Sequence, residues 1–411
     1  MMKYKKSDRL LDIPDQEAIR FYNSRYFVIN KNMLKYMGLW PYQNQVQKVF
    51  IRIVLSCVII ISTVPQVICV VTMKKNIERI IVAIGTIVYI FGIGAKFFGM
   101  IFTESKLKFL YKNIVQNWNM LENKSEKHIL EKSSEVGRLL TLAYVGYMVN
   151  AGIIFVTLPL THHMYDIIWP LANASRAPVF ILDGEYFVDK KQYYYYIYIF
   201  EACTVLTSIP LFSAVDSTYA VCIQQCVGLL DVVKLRLKLA TKQSEKFDST
   251  IYPIKDASYR AISKSAELHE NVLNFGQVLE SSYSSTFLFV IIGNVLVLAA
   301  GAVNILFNLN NPVLLLRFIF LNIGFTIHMF YLSWPGQKMI DGSNDIFYAA
   351  YNNQWYECSV ASQNLLKFIM RRTLKPFYLT AGGFYIMNFE NFIVLLKSSM
   401  SYITVFASFN N

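Results

Sequence analysis

Across its 411 residues the chain carries 39 Lys and Arg against 27 Asp and Glu, a formal net charge of +12 that by itself would allow a nucleic-acid surface. The rest of the composition excludes that class: 55% of residues are hydrophobic and only 16% charged, where soluble domains carry about 25% charged residues, so most of the chain is expected in a bilayer. Six cysteines over this length, with no C-x-x-C and no Cys/His cluster, exclude a disulfide scaffold and a zinc domain.

Residues 1–49 contain no apolar run of signal-peptide length and are expected to form a polar segment ahead of the membrane. A bilayer core needs about 20 mostly apolar residues per helix. Seven stretches meet that need: Phe50–Thr72, Ile80–Phe102, Leu139–Leu160, Tyr193–Val215, Tyr283–Leu306, Val313–Trp334 and Asn391–Phe409. After the fourth, Leu229, Val233 and Leu237 repeat at helix spacing while Asp231, Lys234 and Lys238 take another side, which predicts an amphipathic extension from Ser217 to about Thr241. A second extension, Ser263–Ser282, leads into the fifth span with Leu268, Val272, Phe275 and Leu279 on one face, and the two are expected to pack together.

An odd number of spans puts the termini on opposite sides. Basic residues are almost as dense on one side as on the other, so charge leans only slightly toward a cytoplasmic N-terminus. The sequons Asn123-Lys124-Ser125 and Asn173-Ala174-Ser175 fall on opposite faces by span parity, so at most one can be glycosylated.

Charged residues inside spans are functional candidates by default: Lys96, Glu201, Arg317 and Lys397. Lys96 and Lys397 lie near span ends, where a long side chain reaches the interface, and are read as snorkelling. Glu201 is deeper and needs a partner or a wet cavity; Arg317 is a possible partner, and a structural pair stands equal with a ligand contact. His128, His162, His163, His269 and His328 show no His-x-x-x-His spacing, and no nucleophile elbow or phosphate loop is present, so neither an enzyme nor a metal or cofactor site is expected. Cys222 and Cys226 read as packing residues.

The last span is the most informative. Asn391, Val394, Ser398, Ser401, Val405 and Ser408 follow one another at spacings of 3 and 4, which places them on one helical stripe. Small polar residues in such a stripe serve helix contact or line a pore. A single helix encloses no water, so a pore requires several copies around one axis, with Val405 forming an apolar ring that gates by dewetting.

The C-terminal third resembles the insect odorant receptors. The resemblance is carried, in order, by His269 through Leu279 and Glu280, Ser333-Trp334-Pro335-Gly336-Gln337 followed by Ser343, and Ala349-Ala350-Tyr351 with Trp355-Tyr356. It continues through Arg371-Arg372-Thr373-Leu374-Lys375-Pro376 and Ser401-Tyr402-Ile403-Thr404-Val405, while Tyr26-Phe27 to Gly38-Leu39-Trp40-Pro41 is similar to the family's N-terminal approach to the membrane. The Ser333-Trp334-Pro335-Gly336 block departs from the more usual Cys-containing form.

The resemblance implies an all-α integral membrane protein of seven transmembrane helices with long cytoplasmic helical extensions, N-terminus cytoplasmic and C-terminus extracellular. It implies three regions: a cytoplasmic N-terminal segment (1–49), six membrane helices with an outer-half ligand pocket (50–334), and an anchor segment with a seventh, pore-lining helix (335–411). It also implies an odorant-gated non-selective cation channel in the plasma membrane of a sensory neuron dendrite, a heterotetramer with co-receptor subunits, no cofactor and no nucleic acid. The chain lacks the co-receptor's long insertion between the fourth and fifth spans and is therefore expected to be the tuning subunit. By type and depth, the pocket for a small volatile ligand is expected to draw on Tyr89, Asn150, Ile154, Tyr196, Phe200, Thr204, Phe320 and Ile323, and the pore and gate on Val394, Ser398, Ser401, Val405 and Ser408, with Asn173 glycosylated outside. A G-protein-coupled receptor would show an acidic-Arg-aromatic triplet after the third span and a proline in the seventh, and neither is present. A membrane transporter or acyltransferase would need matched broken helices or a buried His/Asp pair, and Pro65, Pro159 and Pro210 are not so matched.

Overall fold

The structure, a computed structural model, describes residues 13–72, 77–121, 123–161, 168, 179–182, 184–241 and 257–409, with the side chains of 77, 78, 400 and 402–409 outside that set. In chain order the helices are α1 (Asp15–Phe21), α2 (Val28–Tyr36), α3 (Gln45–Thr72), α4 (Ile77–Phe102), α5 (Glu104–Met120), α6 (Lys124–Thr157), α7 (Tyr194–Ala240), α8 (Ala257–Phe307), α9 (Pro312–Tyr351), α10 (Val360–Thr373) and α11 (Phe389–Phe409). Strands β1 (Thr380–Ala381) and β2 (Tyr385–Ile386) form a short antiparallel hairpin before α11. Among the described residues six helices, α3, α4 and α6 to α9, are long and apolar enough to cross a membrane. The seventh expected span folds as α11, a helix of 21 residues.

Two helices continue far beyond any bilayer. α7 has 47 residues and α8 has 51; at 1.5 Å per residue these are rods of about 70 and 76 Å, where a hydrocarbon core is about 30 Å thick. Both expected extensions therefore exist as unbroken continuations of their spans, and they pack along one another. From Leu211 to Cys226 every residue of α7 is buried, which makes this helix the axis of the core. All-round burial demands small or internally satisfied side chains. Ser217 accepts from Asn30 Nδ2 at 2.7 Å, Gln225 donates to Ser134 Oγ at 2.8 Å and accepts from Trp118 Nε1 at 2.9 Å, while Ser133 donates to the Gln224 carbonyl at 2.6 Å. Cys222 and Cys226 are buried free thiols within this packing.

Residues 13–49 correct the expectation of a polar leader. α1 folds against α5 and α2 against α7 and α6, and Tyr22, Phe27 and Trp40 join Tyr111 in a buried aromatic cluster with ring centroids 5.2–5.4 Å apart. Gly38 takes φ +65° at the turn that feeds this cluster, a conformation side-chain-bearing residues rarely adopt. α5 itself was not anticipated; its Leu107, Leu110, Ile114 and Val115 are buried beneath α1 and α8.

The hairpin is bolted to the long helices by the residues that carried the resemblance. Glu280 of α8 accepts from the Thr380 amide at 3.1 Å and from its hydroxyl. Ser343 of α9 accepts from Phe377 N at 3.0 Å, and Gln337 Oε1 accepts from Phe389 N at 3.3 Å. Gly276 and Gly336 leave room for the Phe377 ring and the Met387 carbonyl, positions that a Cβ would occupy. Those sequence blocks converge on one spot, where they aim α11 along α8 and α9.

Candidate functional site

An apolar cavity of about 410 Å³ opens among α4, α6, α7, α8 and α9. Its walls include Tyr89 and Thr86 from α4, Asn150 and Ile154 from α6, Val205 and Phe212 from α7, Val297 from α8, and Phe320, Ile323 and Gly324 from α9. Ile181 and Leu182, from the segment that precedes α7, complete it at one end.

Two buried charges pin that end. Glu201 Oε2 accepts from the Ile181 and Leu182 amides at 2.8 and 3.1 Å, while its Oε1 accepts from the Tyr186 hydroxyl at 2.8 Å. From the other side Arg317 donates to the Phe180 carbonyl at 2.8 Å and to that of Ile181. Glu201 and Arg317 thus grip the same short stretch of backbone from opposite sides, and that stretch stands between them where a direct ion pair was one possibility. Arg317 also lies 5.2 Å from the Phe155 ring centroid.

At the opposite end of the cavity the sequence reading of Lys96 is corrected. Lys96 does not snorkel: it is fully buried, with Nζ 2.6 Å from both carboxylate oxygens of Asp216 and 4.0 Å from the Phe212 ring centroid. α5 begins directly after α4, so protein rather than a lipid headgroup region lies beyond this lysine. Tyr144 of α6 donates to Asp216 Oδ2 at 2.8 Å, and His328 Nε2 of α9 sits 3.1 Å from the same oxygen and 3.0 Å from Lys96 Nζ. Asn294 of α8 meets His328 Nδ1 at 3.1 Å, which closes a buried polar knot contributed by five helices. His328 and Phe212 belong both to this knot and to the cavity wall. Sequence reasoning missed Asp216 because it stands one residue beyond the apolar run, where a carboxylate reads as the start of a solvated extension.

Of the eight residues expected at a pocket, Tyr89, Asn150, Ile154, Phe320 and Ile323 line this cavity. Tyr196, Phe200 and Thr204 are not on its wall. Tyr196 is 76% exposed on the outside of α7, Phe200 packs edge-on against Tyr186, and Thr204 is buried against Ser62 at 2.8 Å. The run Tyr193 to Tyr196 gives no polarity contrast from which to choose an inward face. Missed wall residues include Ile181, Leu182, Arg317 and His328.

On α11, Val394 is 54% exposed and Ser398 and Ser401 are exposed, while Ser399 is buried toward the bundle. Lys397 is exposed. Val405 and Ser408 continue the same helix, with side chains outside the described residues, and Asn173 lies outside them altogether. Among the described residues no group of three His, Cys, Asp or Glu is arranged to hold a metal.

Comparison with solved structures finds this architecture in the insect olfactory receptor OR5 from Machilis hrabei: the complex with eugenol aligns with a TM-score of 0.75 over 95% of this chain and 99% of that one, at 14% identity. OR5 without that ligand aligns at 0.74. Among curated sequences, Odorant receptor Or2 of Anopheles gambiae is 20% identical over 315 residues, 74% of this chain and 78% of that protein. Odorant receptor 10 of Aedes albopictus is 27% identical over 175 residues, 42% of this chain and 46% of that protein. The model of the 7tm Odorant receptor family matches residues 49–400, from the first membrane helix into the middle of α11, so the motifs that clamp the hairpin and the helices that build the cavity fall within one matched unit, and the chain belongs to the odorant receptor family.

Proposed function

We propose that the chain is the odorant-tuning subunit of a ligand-gated cation channel, which binds a small volatile molecule in the cavity and opens a pore lined by α11. The single observation that carries the reading is the cavity itself: about 410 Å³, walled by aliphatic and aromatic side chains, with its nearby charges turned into protein contacts. Burial and shape bind a neutral ligand in such a space, at roughly 25 cal/mol per Å² of apolar surface removed from water. The OR5 complex contains eugenol, a molecule of this kind. Support for the pore comes from the exposure of Val394, Ser398 and Ser401 on one stripe of α11, and the spacing of 3 and 4 in the sequence carries that stripe on to Val405 and Ser408.

In this reading residues 1–49 and the ends of α7 and α8 that flank residues 241–256 are cytoplasmic, the cavity lies in the outer half of a plasma membrane, and residues 335–411 carry the assembly segment and the pore helix. The connection of residues 241–256 is short, which supports a tuning role over a co-receptor role. Partners are co-receptor subunits in a heterotetramer, together with membrane lipid. The test is to record current during odorant application in cells expressing the chain with and without a co-receptor. Odorant-evoked cation current is expected only with both, and is expected to vanish when the chain is truncated after Phe377; a response that requires a G protein overturns the channel reading.

A further inference from the structure

We infer that the ligand reaches this cavity sideways, from the hydrocarbon of the bilayer, through a mouth between α6 and α9. The inference rests on the cavity being the ligand site and adds the route into it.

Burial around the wall is graded, and the gradient has a direction. Val205 and Val297 are each 4% exposed, Leu182 is 4% and Ile181 is fully buried, whereas Ile154 is 42%, Phe320 45% and Ile323 50% exposed. Asn150 is exposed as well. These four are the wall residues in the exposed class, and all of them stand on α6 and α9. An isoleucine half exposed while lining a cavity stands at an opening, not within an enclosed chamber. Both helices are apolar over these positions, so the opening faces acyl chains and admits what is dissolved among them.

The two helices touch at few places, among them the stacked rings of Tyr144 and Tyr331 and the approach of Arg317 to Phe155. Tyr147 of α6 reaches toward Gly324 of α9, whose missing side chain leaves the space that its hydroxyl approaches. On the α6 side Gly146 has open space around it. Separation of α6 from α9 here breaks no inter-helix hydrogen bond among the described residues, because Asn150 donates to Gly146 of its own helix at 2.7 Å.

The end formed by Ile181 and Leu182 is built in the opposite way. Four hydrogen bonds from Glu201 and Arg317 hold its backbone, both side chains are buried, and displacing it would take those bonds from a buried carboxylate and a buried guanidinium. A ligand passing here would have to break those bonds, whereas at the α6–α9 gap it displaces lipid and the exposed side chains of Asn150, Ile154, Phe320 and Ile323.

The test uses the full-length chain in lipid nanodiscs and the neutral fluorophore N-phenyl-1-naphthylamine, followed by stopped-flow fluorescence, with empty nanodiscs as background. Protein-dependent enhancement is expected, and Val205→Phe or Val297→Phe, each filling the deep wall, is expected to abolish it. Ile154→Trp and Ile323→Trp, placed at the mouth where a larger side chain meets lipid, are expected to slow the onset about tenfold, whatever they do to the final amplitude. Size-exclusion profiles confirm that each variant is folded. If the mouth variants leave onset unchanged, or Leu182→Ala accelerates it, the lateral route is overturned while the cavity stands. If both wall-filling variants leave the enhancement intact, the cavity is not the site and the route falls with it.

Discussion

Lys96 and Asp216 show how a buried ion pair is required without being a large net source of stability. Taking two charges out of water costs several kcal/mol per ion, and their attraction with Tyr144 and His328 as further partners offsets that cost. Removing one partner is therefore far worse than removing both. Asp216→Asn is expected to destabilise the folded chain by about 3–5 kcal/mol, read as a lower thermal midpoint in detergent and lower surface expression. The double variant Lys96→Met, Asp216→Leu is expected to recover most of that loss. Equal midpoints for the single and double variants would show that the two charges do not compensate each other.

His269, in the part of α8 that precedes its membrane span, makes a pH-dependent contribution. Burial pushes its imidazole down from the ordinary 6.5 to about 4, and the neighbouring Arg372 acts in the same direction. The folded state then holds the ring neutral over a range in which the unfolded chain protonates it. Stability is full above about pH 6.5, falls as pH drops from 6.5 toward 4, and loses nothing further from this group below 4. His269→Leu is expected to flatten the thermal midpoint between pH 6.5 and 4 relative to the native chain; an unchanged slope would place the acid sensitivity elsewhere.

Among the elements, the helix following the hairpin carries the sharpest functional expectation. If the α11 stripe faces a closed pore, Val405→Ser removes an apolar group from the dry constriction, and basal current with a co-receptor is expected to rise. Phe406, about 100° around the helix, is the control, and Phe406→Ala is expected to change surface level before permeation. Unchanged leak in Val405→Ser together with altered permeation in Phe406→Ala would rotate the pore face. The spans themselves were legible because a bilayer forces long apolar runs, and so were the extensions of α7 and α8, where Leu229, Val233 and Leu237 kept helical spacing. Neither α1 nor α5 was legible: α1 has only 7 residues, α5 mixes polar and apolar residues over 17, and both lean on an aromatic cluster whose members lie far apart in sequence. At the cavity, depth and side-chain type located Tyr89, Phe320 and Ile323, but rotation about α7 was hidden among consecutive tyrosines. The pairing of Lys96 with Asp216 was hidden for another reason, since it joins residues 120 positions apart.

For the molecule as a whole, orientation is the first thing to establish. With the N-terminus cytoplasmic, Asn173→Gln is expected to remove a glycosidase-sensitive shift on gels and Asn123→Gln to leave it in place; the reverse would invert the protein in the membrane. Asn123 already has a structural task, since its side chain accepts from Ser125 N at 2.9 Å as the N-cap of α6. The length of α7 has a mechanical consequence. Fastened at Asp216 to α4, α6 and α9, it is a lever with its fulcrum at the charge pair. From Val205 in the cavity wall to that point is about 16 Å, and from there to Ala240 about 36 Å, at 1.5 Å per residue. A rigid tilt that moves the wall by about 1 Å therefore swings the far end by about 2 Å. Where the cavity lies relative to the fulcrum thus sets the leverage: a ligand seated farther from Asp216 has the longer arm to push on, and one seated against Phe212 has an arm of only about 6 Å.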